Sequence, residues 1–176
     1  MKKILCLFFM IVKLYAVGEA GAIFLLIAPG AGAAGTGEAQ VAKADDAYAS
    51  YYNPAGLGFL SGSEAAGMHV NWLPNLADDI YYDFLTYRKQ IKGIGSIGTH
   101  IIFLNLGSQV QTDAEGNELG NFNSNMWAIT TSVGTTLNEN SSIGIGFKVL
   151  QQNLGPGAGS EANEGKSTDF LFDLGF

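Results

Sequence analysis

The sequence predicts an all-β protein: an antiparallel transmembrane β-barrel with a short helical segment on its N-terminal side. Three observations lead there. From Glu64 onward, large apolar residues alternate with small or polar ones at a period of two. Short turns and long polar connections alternate between the strand-like stretches, as in barrels with short inner turns and longer outer loops. The first twenty residues have the layout of an export signal.

The signal is assigned to residues 1–20. Lys2 and Lys3 form a positive start, Ile4 to Val12 an apolar core, and Val17 to Ala20 the small residues before a cut. Lys13 and Glu19 interrupt the run, so a spanning helix of about 20 residues is not expected. An uncleaved anchor is the alternative. Cleavage would remove Cys6, the single cysteine, and with it any disulfide, thiolate metal site or cysteine nucleophile. Charged residues make up 14 % of the chain and the net charge is −7. That charge leaves no basic footprint for nucleic acid, which is not expected as a partner. An exported, cysteine-free, acidic chain with 24 glycines points to a bacterial envelope, and with the barrel pattern to its outer membrane.

Gly30-x-Gly32-x-x-Gly35 has the spacing of a dinucleotide-binding loop. That motif needs a strand before it, a helix after it and an acid about 20 residues on, ending a second parallel strand. Ser50-Tyr51-Tyr52-Asn53 stands there instead, and Pro29 closes the preceding apolar run. The glycines are therefore read as packing residues. A helix of about four turns is expected over Glu38 to Tyr52. Pro54 would end it at Asn53, and Gly56 and Gly58 permit the chain to turn away.

Six strands are expected, at about 64–73, 79–91, 94–108, 122–138, 142–153 and 167–176. Trp127, Ile129, Val133, Ile143, Ile145, Phe147, Phe170 and Phe172 fall on faces suited to lipid. The Gly, Ser, Thr and Asp between them suit a polar lumen. The third strand is ambiguous, because His100 to Leu106 is apolar on both faces. Trp72, Tyr81, Tyr82, Tyr87 and Trp127 are placed for an interfacial girdle. Ser108 to Asn121 and Leu154 to Ser167 read as long outer loops. A soluble antiparallel β-domain is the competing class.

The stretch GTGEAQVAKADDAYASYYNPAGL, ending at Leu57, resembles the N-terminal segment of FadL-like outer-membrane proteins. These share a Gly-rich run, an A-DDA block and an NPAGL motif. The flanking FLLIAPGAGAAGTGEA and the later YYDFLTYRKQIKGIGSIG and KSTDFLFDLGF resemble one branch, the PorV/PorQ family. The resemblance implies a hatch over residues 21–62, folded into a FadL-like barrel from its periplasmic end. Asp45, Asp46, Asn53, Pro54, Ala55 and Gly56 would be its hatch and lumen motif. Residues 63–176 would then be part of the barrel. FadL-like barrels hold more than six strands, and open edges cannot persist in lipid. A truncated barrel of about six strands is therefore expected, with closure by association of chains as the alternative.

The same resemblance implies a role in protein secretion and surface attachment, in a type IX-like system. Its partners would be the outer membrane itself, secretion-system proteins and secreted cargo, docked on the outer loops. The alternative is a FadL-type channel for hydrophobic small molecules such as long-chain fatty acids. No enzyme and no cofactor are expected. His69 and His100 are isolated on separate strands without metal-ligand spacing. The serines lack a nucleophile elbow, and Asp113 to Glu118 lacks the spacing of calcium ligands.

Overall fold

In the computed structural model, residues 21–75, 77–156 and 165–176 are described; the assigned signal at 1–20 lies outside them. The period-two alternation becomes six strands: β1 (Ser63–Asn71), β2 (Tyr81–Ile91), β3 (Gly95–Thr112), β4 (Glu118–Asn138), β5 (Ser141–Asn153) and β6 (Lys166–Gly175). They form one antiparallel sheet in chain order, with β1 and β6 at its edges. The sheet is not closed, as expected for part of a barrel.

Register places the apolar residues in rows across one face. Leu85, Ile101, Ile129, Val149 and Phe170 are successive cross-strand partners, as are Ile97, Val133, Ile145 and Leu174. Between these rows lie Tyr87, Thr99, Thr131, Phe147 and Phe172. On one side the band ends in Phe103 and Trp127. Beyond them comes a polar row of Asn71, Tyr81, Asn105, Asn125, Asn153 and Lys166. From Phe103 to the end of β3 at Gly95 the band runs about 27 Å along the strand, at ~3.4 Å per residue. With a tilt of about 40° that gives roughly 20 Å of membrane thickness, close to the usual apolar belt. Most large side chains in these rows are exposed, and so wide an exposed apolar face is one that lipid or protein must cover.

The opposite face is layered, and here the expectation of a uniformly polar lumen fails. Tyr82, Phe84, Ile102, Leu104, Ala128 and Leu150 form a buried core with Phe24. Next along the strands comes a polar belt of Thr86, Arg88, His100, Thr130 and Ser132, and then a run of glycines. The N-terminal segment packs on this face, so apolar side chains there gain burial instead of meeting water. The ambiguity of the third strand resolves accordingly: Ile102 and Leu104 enter the core, while Ile101 and Phe103 join the outer rows.

The expected loop at Ser108 to Asn121 is mostly strand. Pairing resumes after a register shift at Asn105/Ser108 and runs from Ser108↔Asn123 to Thr112↔Glu118. The residues are polar, but pairing satisfies backbone groups that a loop would leave to water. Only 113–117 turn. There Asp113 Oδ1 accepts N–H bonds from Glu115 (3.0 Å) and Asn117 (2.7 Å), and Oδ2 accepts from Asn117 Nδ2 (2.8 Å). These bonds, Asn117's side chain foremost, hold the Asp113 carboxyl below its ordinary range. In the second expected loop, residues 157–164 lie outside those described.

The row assignment predicts the effect of a charge. Ile129→Arg, in the middle of the apolar rows, should destabilise the full-length protein in liposomes by about 2–4 kcal/mol in denaturant unfolding. Gln109→Arg, beyond the polar row, should cost under about 1 kcal/mol. Equal costs would refute the membrane-facing assignment.

Candidate functional site: the hatch and its glycine trench

Residues 21–62 lie against the inner face of the sheet in short pieces. A 3-10 turn at Ile23–Leu26 is followed by α1 (Ala31–Gly35), α2 (Ala49–Tyr52) and a second 3-10 turn at Pro54–Phe59. The four-turn helix expected over Glu38 to Tyr52 does not form; only its last turn, α2, is helical. Glu38 (φ +61°) and Ala44 (φ +26°) take left-handed backbone that breaks it. Asp46 Oδ1 accepts the Tyr48 N–H at 2.9 Å and starts the chain afresh. A rod of fifteen residues would be about 22 Å long. Short helices draw most of their stability from packing, and here packing rewards a folded-back chain.

That packing centres on Asn53-Pro54-Ala55-Gly56. Asn53 is extended; its Oδ1 accepts the Ala55 N–H at 3.0 Å. Its Nδ2 donates to the carbonyls of Val41 (3.1 Å) and Phe176 (3.3 Å). Pro54 opens the 3-10 turn, where its missing N–H leaves no donor unpaired. Ala55 and Leu57 are buried. Gly56 rests on the carbonyl of Ala44, where a Cβ would collide.

Beneath this turn, β3, β4, β5 and β6 each present a glycine. Gly134, Gly144 and Gly175 are successive partners in one row, and Gly98 lies one row away. A Cβ at Gly98 would meet Leu57 Cδ2 at 3.0 Å and Ser50 Cβ at 3.1 Å. At Gly134 it would run into Pro54 O and Gly58 N, at Gly144 into Pro54 and Ala55 N, and at Gly175 into Asn53 Oδ1 and Ala55 N. β4, β5 and β6 thus form a trench with no side chains that the NPAGLG backbone fills, and Gly98 on β3 extends it to receive the side chains of Leu57 and Ser50.

The wall also supplies hydrogen bonds to hatch carbonyls that no helix or strand satisfies. Tyr82 donates to Ile27 O (3.1 Å), Thr86 to Ala47 O (2.8 Å) and Ser96 to Leu60 O (2.6 Å). Arg88 donates to Ser61 O (2.9 Å) while paired with Glu64 (2.7 Å). His100 Nδ1 and Ser50 Oγ, both buried, lie 2.9 Å apart. Within the hatch, Tyr51 and Tyr52 donate to Leu25 O and Pro29 O, each at 2.7 Å. Burial first, then neighbouring groups including Glu38, push both hydroxyls up to about 12.

Of the residues singled out from sequence, Asn53, Pro54, Ala55 and Gly56 come together in the trench. Asp45 and Asp46 separate. Asp45 is exposed, ion-paired to Lys43 at 3.4 Å, on the rim of a hollow it shares with Asn53 and Gly56. Asp46 turns to the other side of the hatch. Thr86, Ser96, His100 and Arg88 were missed as hatch anchors. Their signal was a polar residue on the inner face of a strand. Among the described residues, no group of three or more His, Cys, Asp and Glu side chains is placed to hold a metal ion.

An antiparallel sheet with apolar rows on one face and the N-terminal segment seated on the other fits the wall of an outer-membrane barrel. Residues 15–175 match the family described as Type IX secretion system protein PorV, and the chain belongs to that family. It is therefore an outer-membrane component of type IX secretion. A comparison with curated proteins finds no match.

Two outcomes follow from the trench. Gly144→Val should expel the 3-10 turn while leaving the barrel folded. Limited proteolysis of the full-length protein should then cut between Glu38 and Ala44 at least about tenfold faster, since a clash of this kind costs about 1–3 kcal/mol or more. The tyrosines set a pH limit. Their folded pKa lies above the ordinary 10, so their contribution to hatch docking is complete below pH 10 and lost as pH rises through about 12. The phenolate absorbance difference between wild type and Tyr51→Phe/Tyr52→Phe should therefore rise near pH 12; a rise at pH 10 would contradict the packing.

Proposed function

We propose that this protein holds secreted cargo or a partner of the secretion machinery at the outer surface, by docking on its outer loops and without catalysing a reaction. The observation that carries this reading is the β3–β4 hairpin. After the register shift at Asn105/Ser108 it resumes pairing over Ser108 to Thr112, about 17 Å, as a ladder closed by Asp113. A paired hairpin loses little entropy on binding, which suits a docking element. The hatch meanwhile occupies the inner face, which argues against a standing passage along this part of the wall. In lipid the backbone groups at the edges β1 and β6 need partners, so further strands or chains complete the barrel. Neither nucleic acid nor a cofactor has a part in this role.

One observation favours a second reading, the FadL-type channel. With the hatch withdrawn, Tyr82, Phe84, Ile102, Leu104 and Leu150 would present an apolar inner surface to a hydrophobic molecule.

Replacing 108–121 with a two-residue turn in the full-length protein separates the two. Docking predicts that the protein still reaches the outer membrane while surface-attached cargo falls at least about tenfold, the loss of about 1.4 kcal/mol of interface energy. Unchanged cargo display, with long-chain fatty-acid uptake reduced in a strain lacking the protein, would favour the channel.

A further inference from the structure

Past Asn105 the β3–β4 hairpin outruns its neighbours. β2 pairs with β3 no further than Tyr81↔Asn105, and β5 with β4 no further than Asn125↔Asn153. β3 resumes against β4 from Ser108 to Thr112, about 17 Å along the strand. Over this stretch β3 has a strand on one side only, among the described residues. One bond shows which way its backbone faces. The Ser108 N–H donates to Asp79 Oδ2 at 2.8 Å. Asp79 stands just before β2, so Ser108 turns its N–H away from β4. Residues two apart on a strand point their N–H and C=O to the same side. Val110, reached from Ser108 without a break in register, therefore turns both groups to the open edge.

The edge is anchored and bare. The Asp79 carboxylate fills the space that a Cβ at Gly107 would take, and the Asp79 backbone carbonyl accepts Asn105 Nδ2 at 2.7 Å. These contacts tie the β1–β2 connection to the start of the projecting stretch. Ser108 to Thr112 reads Ser-Gln-Val-Gln-Thr, with none of the Pro or Lys that blunt natural edges, and Val110 is 53 % exposed. Asp113 fixes the turn at the far end. An open edge held at both ends is a template for one more strand, secured by main-chain hydrogen bonds.

Charge narrows what that strand can be. Asp78 and Asp79 lie beside the start of the stretch, and Asp113, Glu115 and Glu118 follow its end. From Gly93 to Phe147 the chain holds no Lys or Arg. A polypeptide with basic side chains meets a complementary field here, and an acidic one is repelled. We propose that the open edge of β3 takes up an extended, basic polypeptide segment as an added strand, its backbone bonded to the Ser108 carbonyl and to Val110. The inference rests on the docking reading of the hairpin and names the form that the docked partner takes.

The test is fluorescence anisotropy of a labelled, capped Thr-Lys-Val-Lys-Thr peptide titrated with the full-length protein in detergent micelles at low salt. The peptide should bind at least about tenfold more tightly than its form N-methylated at every residue, which keeps the charge and loses the ladder. Thr-Glu-Val-Glu-Thr should bind at least about tenfold more weakly. Val110→Pro removes an edge donor where a strand tolerates proline, and should weaken binding at least about tenfold. Val110→Thr, which keeps the backbone, should change it little. Circular dichroism checks that each variant is folded; should Val110→Pro fail, the N-methylated peptide carries the test on the unaltered protein. No binding, equal binding of the parent and N-methylated peptides or of the Lys and Glu peptides, or a folded Val110→Pro that binds like wild type overturns the proposal. Cargo display lost on replacing 108–121, without peptide binding, overturns strand addition and leaves docking standing. Peptide binding with unchanged display supports strand addition and rejects the docking of cargo.

Discussion

Backbone meets backbone where the hatch crosses the sheet, and that is permitted only because Gly134, Gly144 and Gly175 carry no Cβ, while Gly98 makes room for the side chains of Leu57 and Ser50. The Pro54–Phe59 turn sits at a distance from β4, β5 and β6 that any side chain at Gly134, Gly144 or Gly175 would forbid. Other features of the hatch follow from that seat. Asn53 closes the turn on Ala55 and reaches across to Val41, while Gly56 lets Ala44 fold onto it. A chain held this closely cannot satisfy its carbonyls with a helix or a ladder. Tyr82, Thr86, Ser96 and Arg88 do so from the wall.

The two faces of the sheet answer to different solvents. The outer face repeats Ile, Val, Phe and Leu in register because lipid rewards any apolar side chain and asks for no shape. The inner face is graded because the hatch is not uniform. Phe24 needs an apolar layer, the carbonyls of 47–61 need donors, and the NPAGLG backbone needs empty space. A strand contributes to each layer in turn every two residues, which is why β3 reads Gly98, His100, Ile102, Leu104 along one side.

Membership of the PorV family places this wall in the outer membrane of a secretion system. The architecture separates the tasks such a protein faces. The membrane rows anchor it, the hatch occupies its inner face, and the β3–β4 ladder projects a preorganised tip closed by one carboxylate. The docking proposed for the hairpin and the covering of the inner face by the hatch are compatible demands, because neither needs the other to move.

Strand count, strand order and the outward-facing residues were legible in the residue order, because a period of two is a local property that lipid on one side makes emphatic. The turn at Asn53 to Gly56 was legible too, as a proline and glycines next to a hydrogen-bonding side chain. The helix over Glu38 to Tyr52 was misread, since local propensity is weak and the trench rewards a bent chain. Ser108 to Asn121 was misread because polar residues pair as readily as apolar ones once a ladder is under way. The inner core was hidden, since nothing local says that Phe24 will cover Phe84 and Ile102. Residue order thus settled what depends on neighbours along the chain: alternation, turns and the face that meets lipid. Only the tertiary structure decided what depends on distant segments meeting: that four glycines on four strands align into one groove, and that Asp45 and Asp46, adjacent in sequence, serve opposite sides of the hatch.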